Sequence, residues 1–333
     1  MSSYISDSDA ADPRWRGFVA RFAAVAGLIL AGALGLLAAL DPYDTGRFAL
    51  VRARGVPEQG PRTADASRGR DPRFNAAIFG NSHIQLLRPE TLKTQTGLDF
   101  VSLIVPGTYP REQFVLIDWF LRHHAQPQAI VIGLDGPWCI DRLTSVEPFP
   151  FWLYDPNPFV YYAGLMRYSA LERLPGRIAL LLGMAKTARP DGYWDYAVDY
   201  ANLGKSSAPG EFAAERPVAS TNPLDFFPAA ERLRMVLAGL AASTRVVLVW
   251  PPVHVSGLPR PGSAAEATML ACRAAFANLA AGRPETAVID WAVDRAETRL
   301  PENFFNQSHY RSNLADALQN DVAAALNAMR DAR

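Results

Sequence analysis

Ala76-Ala77-Ile78-Phe79-Gly80-Asn81-Ser82-His83 is the stretch that decides the fold. Its first four residues are apolar throughout, as in a strand covered on both faces. Gly80 ends the run, and a hydroxyl follows two residues later, where the next helix is due. Strand, tight turn, nucleophile and helix, in that order, lift a serine to the top edge of a parallel sheet. Near the other end, Phe305-Asn306-Gln307-Ser308-His309-Tyr310 sets a lone histidine just ahead of an amphipathic segment. Ser82 and His309 are therefore expected to meet, with the intervening chain building the sheet and the pocket.

Outward from that turn the elements alternate. Strands are predicted at Ala76–Phe79, Phe100–Val105, Ala129–Leu134, Arg245–Trp250 and Ala287–Ile289. Helices are predicted at Pro89–Thr96, Arg111–His123, Ala229–Ala242, Ala264–Ala281 and Ser312–Met329. This rhythm predicts an α/β fold: a doubly wound, mainly parallel sheet with helices on both faces, occupying residues 75–333.

Toward the N-terminus, an uncharged apolar run from Phe22 to Leu40 follows Arg14, Arg16 and Arg21. Its nineteen residues would span about 28 Å as a helix, close to a bilayer core. A cleaved signal peptide would have a shorter apolar region and a small-x-small site, and Ala38-Ala39-Leu40-Asp41-Pro42 matches that poorly. The run is read as a single transmembrane anchor over 22–40, behind a cytoplasmic tail of residues 1–21. Arginines flank both ends, so the positive-inside count is nearly balanced. The expected placement is single-pass in the inner membrane with the main domain in the periplasm. Residues 41–74, rich in Gly, Pro, Arg and Asp without apolar periodicity, read as a linker.

Residues 140–225 interrupt the alternation. They are rich in proline and aromatics, from Phe149-Pro150-Phe151-Trp152 through Tyr161-Tyr162 to Tyr193-Trp194 and Tyr196. An insertion there is expected to cap the carboxyl edge of the sheet, where α/β ligands bind. Its aromatics could stack on sugar rings, rest on a membrane surface, or form the cap's own core. Cys139 and Cys272 pair if the domain is exported, or remain two buried thiols; spacing does not decide. Lys+Arg and Asp+Glu are both 33, which gives no sign of a nucleic-acid binder. No CxxC, HExxH or paired-histidine spacing occurs, so neither metal nor cofactor is expected.

A neutral serine needs a base within hydrogen-bond reach. Among five histidines, His309 is the best placed, and Asn306, three residues earlier, could fix its tautomer through the amide oxygen. Asn81 and His83 flank the serine and are assigned to its pocket rather than to the base. His123 and His124 read as solvated helix-end residues, and His254 as a candidate for the pocket rim. The N–H groups of Ser82 and Gly107 are the expected oxyanion donors. Asp135, at the end of the third strand, is expected to orient His309 or His83, or to cap a turn.

Gly80-Asn81-Ser82, Pro106-Gly107, Gly133-Leu134-Asp135 and Asn306-Gln307-Ser308-His309, in that order, resemble the blocks of the SGNH (GDSL-like) hydrolase superfamily. The likeness is closest to membrane-anchored envelope members of the alginate O-acetyltransferase type, and it covers about 75–135 and 245–330. It implies Ser82 as nucleophile, His309 as base and Gly107 as an oxyanion donor. The family's aspartate three residues before the histidine is Asn306 here. Its third-block asparagine has no clear match, Asp135 being nearest.

The expected function is that of a membrane-anchored serine esterase or O-acyltransferase. Its partner would be an acylated envelope polysaccharide or an acyl donor, acetyl among the groups moved. The alternative is a degenerate relative that keeps the fold and serves as a membrane-tethered glycan-binding or assembly factor.

Overall fold

The computed structural model describes residues 13–47, 50, 54–140, 147–202, 212, 222 and 226–331. Five strands form one sheet: β1 (Ala76–Gly80), β2 (Phe100–Ile104), β3 (Ala129–Gly133), β4 (Arg245–Trp250) and β5 (Thr286–Asp290). All neighbours are parallel, in the order β2-β1-β3-β4-β5. The chain winds from β1 to one side, then crosses to the other at β3. The carboxyl ends of β1 and β3 thus flank the topological switch point, where open α/β sheets place their ligands.

Twelve helices accompany the sheet among the described residues. They are α1 (Pro13–Leu40), α2 (Pro61–Arg68), α3 (Pro89–Thr96), α4 (Pro110–His123), α5 (Phe151–Tyr154), α6 (Pro158–Leu165), α7 (Tyr168–Leu171), α8 (Leu174–Leu181), α9 (Ala197–Asn202), α10 (Pro228–Gly239), α11 (Ala264–Ala281) and α12 (Ser312–Asp331). The apolar strands supply both cores by strict alternation. Ala77, Phe79, Ile130, Ile132, Val246 and Leu248 face a core with α4, α10 and α11. Ala76, Ile78, Ala129, Val131, Val247 and Val249 face a second core with α3 and α12. Period-two alternation into two covered faces is why these strands carry no polar face.

One expectation needs correction. Residues 41–74 are not a bare linker, because they carry α2, whose Ala64, Asp65, Ala66 and Ser67 are buried. The segment is held by polar contacts, which hydrophobic periodicity cannot register. Asp44 accepts from Ser67 Oγ at 2.6 Å and from Gly55 N–H at 2.7 Å, and it pairs with Arg70. Trp119 Nε1 donates to Ala66 O at 3.0 Å. α1 begins at Pro13, ahead of the expected span of 22–40, and residues 1–12 lie outside the described residues. The helix is long and apolar enough to cross a membrane, with a mean hydropathy of 2.4 and almost no burial over its apolar window.

Only part of the 140–225 insertion stands over the sheet's carboxyl edge. Its first helices pack sideways instead, Tyr154 against Trp119 of α4 and Trp152 against Tyr43. The stretch from Tyr193 to α9 reaches the edge. Residues 141–146 and most of 203–225 lie outside the described residues. Cys139 and Cys272 are disulfide-bonded, which ties the turn after β3 to α11.

Candidate active site

The serine turn is built by glycines that let one side chain in close. At the end of β1, Gly80 adopts φ +153°, and a Cβ there would come within 2.6 Å of Ile84 Cγ2. Gly133, at the end of β3, would meet the same methyl at 2.8 Å. Ile84 is buried between the two strand ends, so the turn Ser82–Ile84 folds tightly back on the sheet. Asn81 caps that turn, its Oδ1 accepting the His83 N–H at 3.1 Å. A Cβ at either glycine would push Ile84 outward and carry Ser82 with it.

Ser82 and His309 do meet. His309 Nε2 lies 2.9 Å from Ser82 Oγ, across 227 residues of sequence. His309 Nδ1 lies 3.0 Å from Asn306 Oδ1. The same oxygen accepts the backbone N–H groups of Ser308 at 3.0 Å and His309 at 2.9 Å. Backbone amides only donate, so the atom facing them is the amide oxygen and not the nitrogen. His309 Nδ1 must therefore carry the proton, and Nε2 presents a lone pair to the serine hydroxyl. Asn306 sets the tautomer that a base requires. Burial, and after it the charge on His83, push the His309 pKa down to about 3. The imidazole is therefore neutral at pH 7.

Asp135 serves the other histidine. Its Oδ2 lies 2.9 Å from His83 Nδ1 and accepts from Asn81 Nδ2 at 2.6 Å. Its Oδ1 has no hydrogen-bond partner among the described residues. The expected cap on the turn Gly136–Cys139 is not made by its side chain. Asn81 Nδ2 also donates to Thr108 O at 3.2 Å, so both amide protons are engaged. Asn81 thus braces the loops after β2 and β3 against the serine turn. Gly107 sits in the loop after β2 at φ +71°, beside the carboxylate of Glu147.

The remaining histidines stay out of the site. His254 is buried and accepts the Ser256 N–H through Nδ1, packed against Phe212 and Phe304. His123 and His124 are not simply solvated: their Nδ1 atoms bond the Trp119 and Phe120 carbonyls, and their rings lie on those residues' rings.

Sequence reasoning missed Tyr200, and named Tyr196 only as one of the insertion's aromatics. Asn306 Nδ2 donates to Tyr200 OH at 2.7 Å, and both tyrosine rings lie within 6 Å of the His309 ring. They enclose the imidazole and account for much of its burial. The aromatic spacing of the insertion was the one available signal. Next to the serine turn, Gln85, Ile104, Pro106, Tyr193 and Trp194 line a cleft of about 640 Å³. Ser82 and His309 line neither this cleft nor a larger one of about 840 Å³ between α4 and Arg232, and only the first adjoins the serine turn, through Gln85. No family model matches the chain, and no curated protein matches it.

Proposed function

We propose that the protein is a serine esterase or O-acyltransferase of SGNH type, anchored in the inner membrane and acting on acylated envelope polysaccharide. The observation that carries this reading is the hydrogen-bonded line Ser82–His309–Asn306, with the tautomer fixed by an amide oxygen that accepts two backbone N–H groups. Ser82 Oγ attacks the ester carbonyl while His309 Nε2 takes its proton. The imidazolium then returns that proton to the departing sugar oxygen, leaving an acyl group on Ser82. Water or a sugar hydroxyl, deprotonated in turn by His309, resolves the acyl-enzyme. The Ser82 and Gly107 N–H groups are the proposed donors to the developing oxyanion.

The cleft that adjoins the serine turn, without Ser82 or His309 in its own lining, supports a sugar substrate. Tyr193 and the half-exposed Trp194 offer ring faces, and Arg189 and Asp195 offer polar atoms around them. The Cys139–Cys272 disulfide supports a domain on the oxidising side of the membrane, hence a periplasmic one. Ser82→Ala tests the chemistry. The full chain, in detergent or vesicles, should hydrolyse a generic acetyl ester, and the variant should lose roughly 10⁴-fold or more of that rate while unfolding normally. Equal rates would remove the enzyme and leave the tethered glycan-binding factor, for which Asn306 and Asp135, the two departures from the family's blocks, are the motivating observations.

A further inference from the structure

The insertion's first half presents apolar side chains that no part of the described protein covers. Phe159 is 81% exposed and Met184 78%, and Met166, Tyr168 and Leu182 between them are exposed as well. This face adjoins α1, since α6 and α8 both contact that helix. Arg177 fixes the junction by donating to Leu40 O at 3.0 Å and Gly55 O at 2.6 Å. Tyr161 OH adds a bond to Asp41 Oδ1 at 3.2 Å. The helix therefore leaves the domain at a set angle.

Length then sets the depth. If α1 spans the bilayer, as proposed above, its uncharged run Phe22–Leu40 covers about 28 Å against a hydrocarbon core of about 30 Å. Nearly the whole run must lie within the apolar layer. Yet Leu37 is buried by the domain, and Leu34 packs against the same core. Leu34 lies six residues before the end of α1, or about 9 Å along its axis. Whatever covers these leucines therefore sits several ångströms inside the membrane surface. That is the depth of about 5–10 Å at which interfacial helices rest. Charge agrees: Arg167, Arg173 and Lys186 are exposed along 158–186, against the single acid Glu172. Apolar contact with exposed basic residues suits anionic headgroups.

We infer that α6–α8 form a second, monotopic membrane contact, seated in the headgroup layer of an anionic bilayer beside the anchor. The inference rests on α1 being a membrane span, so the test separates the two. Leu28→Cys in α1, Phe159→Cys, Met184→Cys and Met235→Cys on α10 each place one environment-sensitive fluorophore on the full-length protein. Vesicles of phosphatidylethanolamine and phosphatidylglycerol, with and without brominated acyl chains, supply the quencher. The expected result is at least twofold quenching at Leu28, Phe159 and Met184, and none at Met235. Quenching at Leu28 alone overturns the second contact and leaves the anchor. No quenching at Leu28 overturns both. A blue shift at Phe159 and Met184 that resists bromine and fades at one protein per vesicle assigns the face to a second copy of the chain, and also overturns the inference.

Discussion

Two imidazoles stand edge to face at the carboxyl ends of the strands, their centroids 5.3 Å apart, and they are served by opposite chemistry. His309 has an amide behind it, lies enclosed by two tyrosines and faces the serine. His83 is next to the serine in sequence, takes the carboxylate, and is joined through it to Asn81. The contrast separates two tasks that one aspartate performs in a Ser-His-Asp triad. Orientation of the base needs only an acceptor at Nδ1, which an amide oxygen provides. Stabilising the imidazolium formed during proton transfer needs negative charge, and here the carboxylate that carries it, Asp135, is bonded to the neighbouring ring of His83. The carboxylate instead locks the loops after β1 and β3 together.

If that division is right, removing the acceptor hurts most. Asn306→Ala should lower kcat by roughly 10²- to 10⁴-fold in an ester assay, because the ring loses its tautomer and orientation. Two backbone N–H groups also lose their acceptor, so a small drop in thermal stability should accompany it.

Asn306→Asp sharpens the comparison. A carboxylate at Nδ1 would raise the His309 pKa and stabilise the imidazolium, increasing kcat by about tenfold, the equivalent of one pKa unit. The pH profile of kcat/KM reports the same change. In the natural protein, a base with a pKa near 3 stays unprotonated, so activity should be flat from about pH 5 to 7 with no acid limb near 6.5. In Asn306→Asp the acid limb should move upward. Stability follows the same sign. The unfolded imidazole binds its proton near 6.5 and the folded one near 3, so the His309 contribution is complete above pH 6.5 and lost as pH falls toward 3.

The smallest effect is expected from Asp135→Asn. One amide oxygen can still accept from His83 and Asn81, so kcat should change by less than about tenfold. A loss as large as that of Asn306→Ala would mean that the His83–Asp135 pair shares in the proton transfer, and the division of labour would be wrong.

The same contrast explains what the residue string disclosed. The apolar runs 246–250 and 129–134 were legible because a strand covered on both faces reads as an unbroken apolar stretch. Ser82 and His309 were legible because a hydroxyl after a strand-ending glycine and a lone histidine before a helix are local patterns. The partner of Asp135 was not, since choosing between two histidines requires the loop geometry that Asn81 and Ile84 impose. Tyr200 was hidden because an aromatic in an irregular insertion has no period to mark it. The 41–74 segment was misread for a related reason: its anchor is a hub of polar bonds on Asp44, invisible to hydropathy.

The central claim is that Ser82 is a nucleophile activated by His309. A fluorophosphonate probe on the folded full-length protein, followed by peptide mapping, measures this directly. The account predicts one adduct, on Ser82, and its loss in His309→Gln. No adduct on Ser82, or one that forms equally fast without the imidazole, would contradict it.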